Sequence, residues 1–155
     1  MIPEFVVYYQ SPIGIMRITA NEEAVTGLDF VDEIIDNDDK CGNTVLKECV
    51  DQMKQYFKGE RKTFQLKLQP QGTEFQKRVW EELLKVPFGK TASYADIAIA
   101  AGNPRGFRAV GSANGRNRIA VIIPCHRIIS SDGSMGGYSG GLWRKEWLLR
   151  HEGII

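Results

Sequence analysis

The hydrophobic texture of this chain changes near residue 70, from β-rich runs around one helical stretch to helical spacing alone, and that change limits the available folds more than any other feature. Residues 5 to 31 hold three short runs rich in β-branched and aromatic residues, FVVYYQ, GIMRITA and VTGLDFV, separated by SPIG and NEEA. Runs of this length with turn residues between them predict an antiparallel three-stranded meander. The acidic DEIIDNDDKCGN that follows reads as a solvated loop. Thr44 to Lys58 then places Val45, Leu46, Cys49, Val50, Met53, Tyr56 and Phe57 on one helical face before Gly59 ends it. FQLKL alternates and predicts one more strand. Beyond QPQG, residues 69 to 72, the period is helical. TEFQKRVWEELLKV opens with a capping box, Thr73 with Gln76, and is expected to stop at Pro87. The expected fold class is α/β, with an N-terminal scaffold domain over residues 1–70 and a mostly helical domain over 71–155. At 155 residues the chain is long enough for two small subdomains.

Charge divides along the same line. The net charge of +1 hides a first stretch, residues 1 to 60, with five Lys/Arg against twelve Asp/Glu. Residues 88 to 127 hold six Lys/Arg and the single acid Asp96. The basic half is the candidate face for a polyanion, and the acidic half a scaffold turned away from it.

Within the basic half, Ser93 followed by Asp96 reads as an N-cap with its reciprocal partner, Gly102 as the residue that stops the helix, and Pro104 as the start of a second helix. Two short helices around a glycine-containing turn make a helix-turn-helix pattern. The second is unusually small-sided, with Ala109, Gly111, Ser112, Ala113 and Gly115, so its backbone can approach another surface closely. Arg105, Arg108, Arg116 and Arg118 ring it with charge.

Cys41, Cys49 and Cys125 show no C-x-x-C spacing and are joined by only two histidines, which argues against a disulfide framework and a structural zinc site. No leader-like or membrane-length apolar run occurs, and the expectation is a cytoplasmic protein with no membrane association. Cys49 falls on an apolar helix face and reads as an inert buried thiol, as does Cys41. Cys125 differs. In IAVIIPCHRIIS it ends what reads as a buried strand, and His126 and Arg127 beside it carry polar groups that must find partners there.

These segments together resemble one family. IPCHRII, SYADIA, GNPRGFRAVGSANGRN and GGYSGGLWRKEWLLRHEG are similar to the O6-alkylguanine-DNA alkyltransferases, also called methylated-DNA–protein-cysteine methyltransferases, densely from about residue 72 to 153 and loosely before. The resemblance implies a ribonuclease-H-like N-terminal sheet with a helix and a C-terminal DNA-binding and catalytic domain. It implies direct, irreversible, single-turnover transfer of an alkyl group from O6 of guanine in DNA to Cys125, with O4-alkylthymine a second candidate substrate. His126 matches the family's base acting through a bridging water, and Glu152 the carboxylate that orients it. Asn117 matches the asparagine bracing the turn around the nucleophile, and Tyr94 the phenol donating to the leaving guanine. Asn114, Ile128, Tyr138 and Ser139 fall in the substrate pocket. Arg108 corresponds to the side chain that enters the vacated base stack, with Tyr94, Ala109, Gly111, Ser112 and Arg116 on double-stranded DNA through its minor groove. No cofactor and no metal are implied, and the expected form is a monomer.

Three other classes compete. An alkyltransferase-like binding protein would lack the nucleophile that Cys125 supplies. A DNA-binding regulator would call for a second helix-turn-helix or a further domain. A cysteine hydrolase would need an oxyanion-hole glycine motif beside Cys125.

Overall fold

The computed structural model describes residues 4–35 and 43–155. Cys41 and most of the acidic loop reading fall outside them. The chain divides into two compact units, one ending at Gln71 and the next beginning at Gly72.

In the first unit the three β-branched and aromatic runs become β1 (Phe5–Ser11), β2 (Gly14–Ala20) and β3 (Val25–Val31), paired antiparallel in the order β1-β2-β3. Ser11 pairs with Gly14 across the first turn, where the Ser11 hydroxyl donates to the Gly14 carbonyl at 2.7 Å. Period two sends Met16, Ile18 and Ala20 to one face of β2, and all three are wholly buried. Helix α1 (Thr44–Phe57) is capped by Asn43 and contributes Leu46, Cys49, Met53 and Tyr56 to the same core.

The strand expected at FQLKL does not form. Residues 64 to 68 keep the alternation of half-buried and exposed positions, but their ladder with β3 is a single bridge, Val25 with Leu68. In that parallel register residues 64 to 67 run past Val25, the first residue of β3, and the polar groups of Gln65 are met instead by Gln52, a polar residue on the buried face of α1. Its amide donates to the Gln65 carbonyl at 3.1 Å and accepts from the Gln65 N–H at 2.9 Å. A side chain has taken the place of a neighbouring strand.

The second unit begins with α2 (Glu74–Leu83), which carries the expected Thr73–Gln76 capping box and ends four residues before Pro87. The Trp80 indole donates to the Ala113 carbonyl at 2.9 Å and fixes α2 against α4 (Phe107–Gly115). Helix α3 (Tyr94–Ala100) has the Ser93–Asp96 box, and Gly102 follows its end at φ 80°, a left-handed conformation that favours glycine. The second helix starts at Phe107 rather than near Pro104. The Gly106 N–H closes a turn on the Asn103 carbonyl at 2.8 Å, so Pro104 and Arg105 lie in that turn.

A second correction concerns IAVIIP. Residues 119 to 124 form consecutive tight turns, with all but Ala120 buried. The Ile122 N–H bonds to the Ala120 carbonyl at 2.8 Å and the Ile123 N–H to the Ile119 carbonyl at 3.0 Å. Val121 sits at φ 70°, an outlier for a β-branched residue. The 3-10 turn Cys125–Arg127 and the short β5 (Ile128–Ile129) follow. β5 pairs in parallel with β4 (Ala92–Ser93), which joins the start of α3 to the segment leaving Cys125. Helix α5 (Leu142–His151) completes the unit.

Candidate active site around Cys125

Asn117 shapes the turn that presents Cys125. Its amide donates to the Ile123 carbonyl at 2.7 Å and its carbonyl accepts from the Ile119 N–H at 3.0 Å. One side chain thereby holds both ends of the strained segment around Val121. Cys125 emerges from it only 2% exposed. Burial pushes its thiol up, while the Asn117 amide, the Lys145 charge and its own N–H pull the other way.

His126 is wholly buried, and its Nε2 lies 2.7 Å from Glu152 Oε2. The other carboxylate oxygen accepts from Arg127 Nε at 2.7 Å. A carboxylate paired with a guanidinium has only lone pairs to offer, so Nε2 brings the proton and Nδ1 keeps a lone pair. Nδ1 is buried and makes no hydrogen bond within the protein. Burial lowers the His126 pKa, and Arg127 and Lys145 lower it further, against the opposing pull of Glu152. The result is a neutral imidazole with its basic nitrogen unengaged. Arg127 also donates to the Val86 carbonyl at 2.7 Å and lies over the Phe88 ring, 5.8 Å from its centroid.

The other residues predicted for the site gather in the same unit. Asn114, buried on α4, donates weakly to the Cys125 carbonyl at 3.4 Å and leaves its own carbonyl oxygen unpartnered. Ile128 is wholly buried in β5. The Tyr138 hydroxyl is buried without a partner, and its phenol is pushed well above the ordinary value by burial and by Cys125. Ser139 is exposed. Tyr94, the first residue of α3, lines a cleft of about 650 Å³ with Ala95, Phe107, Gly111, Ser130, Ser131 and Asp132. Gly136 closes against it at φ 68°, where a Cβ would come within 2.9 Å of the Tyr94 hydroxyl. Arg108, Ala109, Ser112 and Arg116 lie exposed on and just after α4, with Gly111 half-buried among them. The opposite side of α4 buries Val110, Ala113 and Asn114.

Two buried cations were not among the candidates. Arg127 could have been traced from its place beside His126. Lys145 carried a clearer signal, because Lys145, Leu148 and Leu149 recur at helical spacing on one buried face of α5, and the buried Glu152 that caps the helix continues the row. Cys49, also buried, has its thiol pushed up to about 12 by burial alone. Among the described residues no group of three or more His, Cys, Asp or Glu side chains could hold a metal ion. No helix among them is long and apolar enough to cross a membrane.

Comparison with known proteins matches both units. Residues 5–70 match the ribonuclease-like domain of 6-O-methylguanine DNA methyltransferase, and residues 74–154 match its DNA binding domain. The methylated-DNA–protein-cysteine methyltransferase of Methanosarcina barkeri is 45% identical, over 94% of this chain and 97% of its own. The constitutive enzyme of that name from Bacillus subtilis is 41% identical, over 94% and 93%. The crystal structure of Mycobacterium tuberculosis O6-methylguanine methyltransferase superposes with a TM-score of 0.85 at 39% identity, covering 97% of this chain and 93% of that one. A structure of the mycobacterial OGT in complex with DNA gives the same TM-score and identity, over 95% and 91%. With a ribonuclease-like unit, a DNA-binding unit and a buried Pro-Cys-His-Arg turn backed by a glutamate, the chain belongs to the 6-O-methylguanine DNA methyltransferase family.

Proposed function

We infer that this protein repairs DNA by transferring the alkyl group of O6-alkylguanine irreversibly to Cys125. The observation that carries this is the His126–Glu152–Arg127 chain set directly beside a buried thiol, in a chain of this family. A thiolate is a soft nucleophile suited to displacement at saturated carbon. In the step proposed, His126 Nδ1 takes the Cys125 proton through a bridging water. The sulfur then forms a bond to the alkyl carbon as the carbon–O6 bond breaks. The electron pair leaves on the guanine, which is neutralised by a proton donated through Tyr94. Asn117 holds the turn open for this attack, and Glu152 keeps His126 in the tautomer that can accept. The product is a thioether with no electrophilic carbonyl and no usable leaving group, so each molecule acts once.

The reactive carbon lies inside a duplex, and reaching it means rotating the nucleotide out of the stack. The exposed face of α4 suits this task. Ala109, Ser112 and Gly111 permit close backbone approach to the minor groove, Arg108 fills the vacated stack, and Arg116 adds phosphate attraction. Asn114, Ile128, Tyr138 and Ser139 surround the extruded base. The protein works as a monomer in the reducing cytoplasm, where Cys125 stays a thiol, and takes no cofactor. O4-alkylthymine is a second substrate to be tested beside guanine. Mixing the protein with a duplex carrying O6-methylguanine and mapping the products by mass spectrometry tests the reading: one methyl group is expected on the Cys125 peptide. Release of methanol or free methylated base, with an unmodified protein, would overturn it.

A further inference from the structure

Lys145 is wholly buried in α5, and the ion pairs among the described residues do not include it. Its Nζ instead donates to three main-chain carbonyls, those of Ile128 at 2.6 Å, Gly137 at 3.1 Å, and Met135. A lysine is among the residues least often buried unpaired, because the ammonium must give up its hydration. Three carbonyls match the three protons of an ammonium. A neutral amine would offer two donors and turn its lone pair against the third oxygen.

The carbonyls belong to two segments. Ile128 begins β5, immediately after the turn that carries Cys125, and Met135 and Gly137 flank Gly136 in the loop leading to Tyr138. One ammonium thus ties the segment behind the nucleophile to the loop that abuts Tyr94 and brings in the buried Tyr138 phenol. Carbonyl dipoles solvate the cation without cancelling its net charge. That charge acts on Cys125, and a Cys125 thiolate in turn favours the ammonium.

We propose, resting on the alkyl-transfer reading, that Lys145 is a positioning residue: it clamps the Met135–Tyr138 loop to β5 and supplies the uncompensated positive charge that stabilises the attacking Cys125 thiolate. The charged and titratable groups gathered there are Cys125, His126 and Arg127 on the 3-10 turn, Tyr138 on the loop, Arg144 with Lys145 on α5, and Glu152 at its C-cap. Of these, Arg127 is committed to Glu152. Arg144 donates to the Gly140 carbonyl and lies over the Trp143 ring at 4.5 Å. Burial brings the Lys145 ammonium down to about 8, so at neutral pH the charged form prevails and above that the charge is withdrawn.

The test separates clamp from charge with Lys145→Gln, which keeps donors but no charge, and Lys145→Met, which keeps neither. Second-order transfer rates on an O6-methylguanine duplex are measured across pH, alongside hydrogen exchange of residues 135–138. Both variants should react about tenfold more slowly near pH 7, the factor expected when a nearby opposite charge is removed from a thiolate. The gap should narrow at alkaline pH, where wild type also loses the charge. Only Lys145→Met should show strongly increased exchange in the loop. A wild-type rate near pH 7 in Lys145→Gln, or a loss of equal size at every pH, would overturn the electrostatic role. Unchanged loop exchange in a folded Lys145→Met would overturn the clamp. Wild type giving no methyl group on Cys125 would instead overturn the alkyl-transfer reading beneath both.

Discussion

Replacing Glu152 by glutamine removes one charge from a site where three donors converge. His126 Nε2 and Arg127 Nε each lie 2.7 Å from its oxygens, and a second Arg127 nitrogen lies at 3.2 Å. The Glu152 side chain is fully buried and that of Arg127 is 8% exposed. A glutamine offers one carbonyl oxygen and turns an NH₂ toward at least one of those donors. The Arg127 cation then remains buried with the Val86 carbonyl as its main acceptor. Breaking a buried pair from one side costs about 3–5 kcal/mol, since an uncompensated charge stays behind. For a chain of this size that lowers the thermal midpoint by roughly 6–20 °C. Arg127→Met combined with Glu152→Gln gives the sharper test. With neither charge left, the double variant should be more stable than either single one. Calorimetric or fluorescence melts of the four proteins close the cycle. Losses that simply add would show that the singles fail for want of packing, and the orphaned-charge account would be wrong.

Cys125→Ala should abolish methyl transfer while retaining affinity for an O6-methylguanine duplex in a gel-shift assay; methylation appearing on the Cys49 peptide would refute the assignment. Arg108→Ala should slow reaction with duplex by an amount equivalent to at most a few kcal/mol of lost compensation for unstacking. Reaction with free O6-methylguanine should be nearly unchanged, and equal losses on both substrates would remove Arg108 from extrusion. The lowered pKa of buried His126 predicts the sign of a pH effect on stability. Below its unfolded pKa of about 6.5 the unfolded chain takes the proton first, so unfolding free energy should fall as pH drops from there toward the folded value, with no His126 contribution above it. Urea midpoints from pH 7 downward should therefore decline less in His126→Gln than in wild type; identical pH slopes would count against a neutral buried imidazole.

How much of this was legible depends on how local each feature is. The capping boxes at Thr73–Gln76 and Ser93–Asp96 formed as expected, because three residues of separation contain the whole interaction. The β1-β2-β3 meander followed for the same reason, its turns being short. Misreadings arose where a side chain replaced a backbone partner. IAVIIP has the composition of a strand, yet Asn117 captures the N–H of Ile119 and the carbonyl of Ile123, and the segment turns. FQLKL alternates like a strand, yet Gln52 takes both polar groups of Gln65. Composition reports what a segment tolerates, and an amide arriving from six or thirteen residues away decides what it does. The resemblance named Cys125, His126 and Glu152; helical spacing marks Lys145 as buried, but which groups Arg127 and Lys145 meet depends on how α5 lies against the 3-10 turn, which no local pattern encodes.

Cys125 and Cys49 are nearly equal in burial, 2% and 0% exposed, and burial raises both thiols. Exposure therefore cannot be what separates the proposed nucleophile from the core thiol here. Reactive cysteines are commonly exposed and already ionised, which suits enzymes that regenerate. A protein spent by a single transfer is also lost to a single oxidation, and a buried, protonated thiol resists that loss. The requirement then shifts to making the charge only when substrate is present. Around Cys49 burial stands unopposed. Around Cys125 an amide and a cation oppose it, and an imidazole in the accepting tautomer lies next in the chain. These groups leave the resting thiol protonated while lowering the cost of ionising it once a base occupies the pocket and excludes water. In the proposed reaction it is the polar partners, held by Asn117, Glu152 and the Lys145 cradle, that turn a protected thiol into one that reacts on demand.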